Sequence, residues 1–295
     1  MVSVVGTLLA LLVFFALFGI FLTQYVPIWM SDNEAAFTAG LQASFADLKS
    51  NIEQQVSDGL VNGASVPASL STPFVLASQG IPLIAQPTTA TLNYVPRTQG
   101  VYINVSMQYG PGGKPNFYQN ISLGTVAVSI PNRYYNPGGL EYEDDAVIQT
   151  QGPQSQLVLY PPPFEVNATG SHRSGTLGIV QLYGNATQLV SAGTVEAFTH
   201  FANVQEFPST GSIASPGTPF RVNIVIGTLF PCAWATYLNS TLSHAGLGSG
   251  AYTLSPSTCV AGNGNSVPVK VQLNNFSSFD LILGSFTIVI GIGVS

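Results

Sequence analysis

No charged side chain occurs between Met1 and Ser31, and the stretch from Val2 to Met30 is almost wholly apolar. A bilayer's hydrocarbon layer of ~30 Å needs about 20 residues at 1.5 Å each, so the tract is long enough to cross it as one helix. A secretory signal would need a basic start, an apolar run of only about 7–15 residues and a small-residue cleavage site. Those features are not arranged here, and neither Lys nor Arg occurs before Lys49. The tract is expected to stay with the mature chain, either in lipid or at the centre of a helical assembly.

The residues that follow predict continuation of the same helix. Asp32 to Gln55 contains no proline, and Phe37, Leu41, Phe45, Leu48, Ile52 and Val56 recur at spacings of three and four. Asp32, Asn33, Glu34, Gln42, Asp47, Lys49 and Gln54 occupy the other face, so this half meets water on one side and protein on the other. The stripe's cover is open between the chain's own β-region, neighbouring helices, or both. An end is expected near Asp58-Gly59, and a bend at Pro27, which lacks a backbone donor and crowds the preceding turn.

Beyond Gly59 the period changes from 3.6 to 2. Gly100–Tyr109 alternates strictly, with Val101, Ile103, Val105 and Met107 on one face and Tyr102, Asn104, Ser106 and Gln108 on the other. Arg221–Ile226 and Val267–Leu273 alternate in the same way; shorter strands are predicted at Phe74–Ala77, Thr91–Val95, Leu123–Ile130, Ala146–Thr150, Gln156–Tyr160 and Leu177–Tyr183. Leu281–Val294 is too short to span a bilayer, is interrupted by glycines and is rich in Ile and Val, which predicts a buried final strand. Turns are expected at Gly110-Pro111-Gly112-Gly113 and Pro137-Gly138-Gly139. The reading is an α+β chain: a long N-terminal apolar helix, residues 1–58, then an antiparallel β-sandwich region, residues 59–295, as one large sandwich or two smaller ones divided near 161–170.

Composition narrows the function. Charged residues make up 7% of the 295 and the net charge is -6, with no basic cluster, which argues against a nucleic-acid partner. Cys232 and Cys259 are the only cysteines and suit one disulfide in an oxidising compartment, worth about 3.5 kcal/mol by a chain-entropy estimate. Glycosylation sequons begin at Asn104, Asn120, Asn167, Asn185, Asn239 and Asn275, with Asn104 the favoured acceptor because it lies on the polar face of the clearest strand. The acidic run Glu141, Glu143, Asp144 and Asp145 reads as a solvated turn, with Ca²⁺ ligation the alternative; it lacks the spacing and loop glycine of an EF-hand. His172, His200 and His244 stand apart from any hydrolase or zinc motif, and no phosphate loop or dinucleotide fingerprint occurs. A non-enzymatic chain without cofactor is expected, with a membrane-tethered hydrolase well behind.

Val4-Val5-Gly6-Thr7-Leu8-Leu9-Ala10, the run Val26-Pro27-Ile28-Trp29-Met30-Ser31-Asp32-Asn33-Glu34-Ala35 and Leu48-Lys49-Ser50-Asn51-Ile52 resemble archaeal type IV pilin-like surface proteins. Asn132-Arg133-Tyr134-Tyr135, Tyr142-Glu143 and Ala146-Val147-Ile148 extend the resemblance into the middle of the β-region, and little beyond Gly170 adds to it. The resemblance implies a subunit of an extracellular filament at the archaeal cell surface: a helical homopolymer whose apolar helices sit in the membrane before assembly and then pack together. Adhesion to surfaces or cells follows from the class alone. Two departures stand out. The sequence begins at Met1 without the basic leader of such proteins, so either a leader precedes this numbering or the helix is a permanent anchor; and Val5 stands where bacterial-type pilins carry a glutamate. Val5, Leu9, Leu12, Phe15, Gly19 and Leu22, together with Phe37, Leu41, Phe45, Leu48 and Ile52, are the residues expected to form the assembly helix. Gly6, Ala10, Ala16 and Gly19 would let neighbouring helices approach closely. The rival reading is a monomeric, membrane-anchored surface ectodomain.

Overall fold

A computed structural model describes residues 2–63, 69–80, 84–109, 117–152, 155–169, 172–207, 219–248, 250–257 and 266–292. The Gly110-Pro111-Gly112-Gly113 turn, Gly170 and Cys259 lie outside them. The N-terminal helix runs without a break through α1 (Val2–Ile20), a π-helical segment (Phe21–Tyr25) and α2 (Val26–Asn62). Pro27 falls in the first turn of α2, and just before it the Val26 N–H reaches back to the Phe21 carbonyl. The wider turn thus sits where proline removes a donor and crowds the preceding carbonyl.

The helix extends to Asn62, past the expected end. Gly63, at φ +61°, closes it with its N–H on the Gly59 carbonyl, 2.9 Å away. Gly59 serves close packing instead: a Cβ there would lie 2.6 Å from the Phe201 ring and 3.0 Å from Val204.

The β-region contains sixteen described strands. They are β1 (Leu70–Val75), β2 (Thr91–Val95), β3 (Tyr102–Tyr109), β4 (Phe117–Ser122), β5 (Thr125–Ile130), β6 (Gly138–Glu143), β7 (Ala146–Thr150), β8 (Gln156–Tyr160), β9 (Phe164–Thr169), β10 (His172–Gly184), β11 (Thr187–Val190), β12 (Thr194–Phe207), β13 (Phe220–Thr228), β14 (Tyr252–Ser255), β15 (Val267–Phe276) and β16 (Ser278–Ile292). A short helix, α3 (Pro231–His244), follows β13. Three sheets form, in the orders β1-β12-β16-β10-β9, β11-β2-β5-β6-β7-β8 and β14-β15-β13-β3-β4. Neighbours are antiparallel, as expected, except that β10 and β16 run parallel from Ser174↔Ser278 to Gly184↔Ile288.

The first sheet serves two cores, one from each face. Side chains alternate across a strand, and Leu177 and Ile179 of β10 with Phe279 and Leu281 of β16 join a core built on the third sheet and α3. Farther along, Val180 and Leu182 with Phe286 and Ile288 present the opposite face to a core shared with α2 and the second sheet. β3 keeps its predicted alternation, with Val101, Ile103, Val105 and Met107 buried and the residues between them half-buried. The buried final strand is also present, as β16.

Candidate assembly helix and its polar clamps

The two halves of the N-terminal helix have opposite surroundings. Val5, Leu9, Leu12 and Phe15 are 58–67% exposed, Leu22 is 36% exposed, and a Cβ on Gly6 or Gly19 would meet nothing within 4 Å. Phe14, Phe18, Phe21 and Tyr25 form an aromatic rib along one side, with successive ring centroids 6.0–6.4 Å apart, and Trp29 meets Phe21 edge-on at 5.8 Å. Among the described residues this is the one helix long and apolar enough to cross a membrane. Below Val26 and Met30, both buried, the environment reverses.

Phe37, Leu41, Phe45, Leu48 and Ile52 pack into the chain's own core, where the Phe45 and Phe74 rings meet edge-to-face at 5.3 Å. The alternatives for the stripe therefore narrow: these five side chains are covered within the subunit, and Val5, Leu9, Leu12, Phe15 and Leu22 are the ones left unpartnered. The unit of packing accordingly starts near Met30 and not at residue 59. A chain cut at Gly59 would lose one wall of its core.

Polar clamps fix α2 to the β-region. Glu34 is fully buried, and its carboxylate accepts the backbone N–H groups of Arg133, Tyr134 and Tyr135 at 3.1, 2.7 and 2.8 Å, together with the Thr88 hydroxyl. Burial alone would push this carboxyl up, but the four donors outweigh it and hold Glu34 below its ordinary value. Thr38 accepts from Asn132 Nδ2 at 3.1 Å, Asn33 donates to the Gln79 carbonyl, Asn51 to Thr72, and Gln55 to Thr199. The Asn132–Tyr135 stretch is thereby wrapped around the helix a turn below the apolar tract.

A second clamp lies lower on α2. Lys49 Nζ sits 3.1 Å from Asp145 Oδ2, donates to the Asp145 carbonyl at 2.8 Å and pairs with Glu53 at 2.7 Å. The acidic run is not a solvated turn. Glu143 and Ala146 are the last pair of the β6–β7 hairpin, and Asp144 and Asp145, with φ of +50° and +58°, form a two-residue turn inserted beneath the helix. Both positive φ values match the turn type favoured by right-twisted hairpins. Asp144 and Asp145 are each 1% exposed, and Glu143 is fully buried with Trp234 Nε1 donating to it at 3.0 Å. Burial pushes Glu143 and Asp145 up to about 7, and Asp144 well above the usual carboxylate range, where its acidic neighbours raise it further. Glu141 is also held well above, by burial and by Glu143. Among the described residues no group of three or more His, Cys, Asp or Glu side chains is arranged to hold a metal ion.

No family model and no curated protein matches this chain.

The remaining sites spread over the domain surface. Asn120, Asn167, Asn185, Asn239 and Asn275 are exposed, while Asn104 is half-buried and its amide donates to the Tyr118 hydroxyl at 2.6 Å. Asn104 and Asn120 are register partners on β3 and β4, so the more open member of the pair is Asn120. Cys232 is 2% exposed at the start of α3 and is disulfide-bonded; the other cysteine of the sequence is Cys259. His244 closes α3 with Nδ1 2.7 Å from the Ser240 carbonyl, and His200 lies on β12. The three histidines belong to separate elements. The residues that sequence reasoning passed over are Glu34 as a buried ligand of backbone amides, Lys49 as a buried cation, and Trp234. Their partners lie about a hundred positions away, and only the spacing of Trp234, Leu238 and Leu242 gave a local signal, that of a helix.

Proposed function

We propose that the chain is the structural subunit of an archaeal type IV pilus-like filament at the cell surface, with the upper half of its helix as the polymerising element and the β-region as the exposed, adhesive sheath. The observation that carries this reading is the pairing of a bare apolar rod with a rigid mount. From Val4 to Tyr25 every large apolar side chain is exposed except the half-buried Phe21, while the turns beyond Met30 are locked to the domain by Glu34 and Lys49. Burying one Leu or Phe is worth about 1.5–3 kcal/mol, so the tract stays in lipid or packs against like helices and does not stand in water. The membrane serves as the reservoir from which the subunit assembles. No catalytic role is assigned; of the buried carboxylates, Glu34 and Asp145 hold the helix.

A monomeric anchored ectodomain is the second reading, and one observation favours it: the stripe from Phe37 to Ile52 is already covered within the subunit. Filaments sheared from cells, imaged by negative stain and identified by mass spectrometry, separate the two. Leu12→Asp places a carboxylate where neither lipid nor packed helices solvate it, and filaments should be lost, whereas Ala43→Asp, at an exposed position of α2, should leave them intact. Normal fibres from Leu12→Asp would sink the assembly role of the tract.

A further inference from the structure

We infer that the Arg133–Tyr135 loop is a membrane foot: while the apolar tract is in the bilayer, this loop rests on the phosphate-bearing headgroups and sets how deep the helix sits. The inference rests on the part of the proposed function that places the tract in a membrane before assembly. Three features support it. The loop's backbone is fully engaged, since the N–H groups of Arg133, Tyr134 and Tyr135 all point to the buried Glu34 carboxylate. Its side chains are free of that duty: Tyr134 is 44% and Tyr135 38% exposed, and Arg133 is exposed and makes no ion pair among the described residues. The helix carries matching aromatic groups just above, with Tyr25 55% and Trp29 48% exposed at the end of the apolar tract.

The heights agree. Trp29 and Glu34 are five residues apart, roughly 7.5 Å along the axis. The headgroup layer on each side of a bilayer is about 5–8 Å thick, from a total of ~40–45 Å less ~30 Å of hydrocarbon. With the Trp29 indole at the hydrocarbon boundary, where Trp and Tyr are favoured, the loop clamped at Glu34 falls at the headgroup level. About 20 residues back from Trp29 lies Ala10, so the span is complete with the tract's first residues to spare, which tilt accommodates. Arg133, one of only seven basic residues in the chain, is thereby placed among phosphates. The exposed Asp32 carboxylate on the same collar opposes strong attraction to anionic lipid, so a zwitterionic phosphodiester surface is the better match.

The test uses the full chain in phosphatidylcholine vesicles carrying a nitroxide either on the headgroup or near the acyl-chain midpoint. Trp234, 1% exposed in the core, supplies a constant background. In a Trp29→Phe background, the indole of Tyr134→Trp should be quenched about twofold or more by the headgroup label relative to the midpoint label. Tyr135→Trp serves equally if the first variant folds poorly. If Trp29 of the unmodified chain is quenched by lipid labels while the indole of Tyr134→Trp is quenched only by aqueous iodide, the foot is refuted and the membrane reading stands. If neither indole responds to a lipid label, the tract is not inserted, and both fall.

Discussion

Phe15 and Phe45 lie on one continuous helix, thirty residues apart, and have nothing else in common. Phe15 is 58% exposed and Phe45 is not exposed at all, packed on Phe74. Above Val26 the rod has apolar side chains and no partners within the subunit. Below it, the inward apolar side chains pack on the β-region, and two charges, Glu34 and Lys49, are buried with partners. The contrast shows that a helix can be two devices in series. One half has no partner within the subunit; the other is satisfied internally, so that anything gripping the first half would also hold the domain.

The largest effect that would test this contrast comes from the same substitution at the two positions. Phe45→Ala should lower the unfolding free energy of the β-region by about 3–5 kcal/mol, through lost burial and the cavity left behind. Phe15→Ala should change it by no more than about 0.5 kcal/mol. Denaturant unfolding of the full chain in detergent, followed through Trp234, reads both. Equal losses would show that the two halves are not independent.

Next in size is the lower clamp, whose effect depends on pH. Glu143 and Asp145 are held up to about 7 in the folded chain. Their favourable contribution is fully present below the unfolded values near 4 and is lost as pH rises through about 7. Glu34 runs the other way: held below its ordinary value, it stabilises above about 4.5 and loses that contribution as pH falls through its lower folded value. The fold should therefore be most stable in mild acid, near pH 4–5, and weaker at pH 8. Lys49→Met sharpens the point. At pH 8 it strands the Asp145 carboxylate and should cost about 3 kcal/mol; at pH 4, with Asp145 protonated, the cost should be under about 1 kcal/mol. A pH-independent penalty would refute the buried pair.

The smallest expected effect is at the upper clamp. Glu34→Gln keeps the shape but removes the charge that three amides and Thr88 donate to, for a loss of about 1.5–3 kcal/mol. Hydrogen exchange at the amides of Arg133, Tyr134 and Tyr135 should quicken well beyond any change in β3. Unchanged exchange there would show that the loop is held by something other than Glu34.

The legible parts of this fold are those whose signal is local and periodic. The stripe from Phe37 to Ile52 repeats at 3.6, and β3 alternates at 2, so both could be read off. β12 went unread although it is fourteen residues long, because its inward positions Val195, Ala197 and Thr199 are small or polar and its outward ones include Phe198. α3 carried a readable spacing in Trp234, Leu238 and Leu242, masked by Pro231, which begins a helix as readily as it ends one. The clamps were out of reach for a different reason. A carboxylate in water and a carboxylate holding three amides look the same in sequence, and the amides that Glu34 holds are 99 to 101 positions away. The acidic turn shows the same limit: adjacent aspartates suit its positive φ values, but nothing beside them foretells the helix laid over it.

The π-helical segment between Ile20 and Val26 uncouples how far the rod reaches from which way it faces. Five residues at about 4.4 per turn sweep nearly the same angle as four α-helical residues at 3.6 per turn. A residue lost within Phe21–Tyr25 would thus leave the tract above it at almost the same clock position over the domain. Elsewhere in the rod, the same edit would swing everything above it by about 100°. The segment is a joint at which such a chain can shorten by one residue without turning its face.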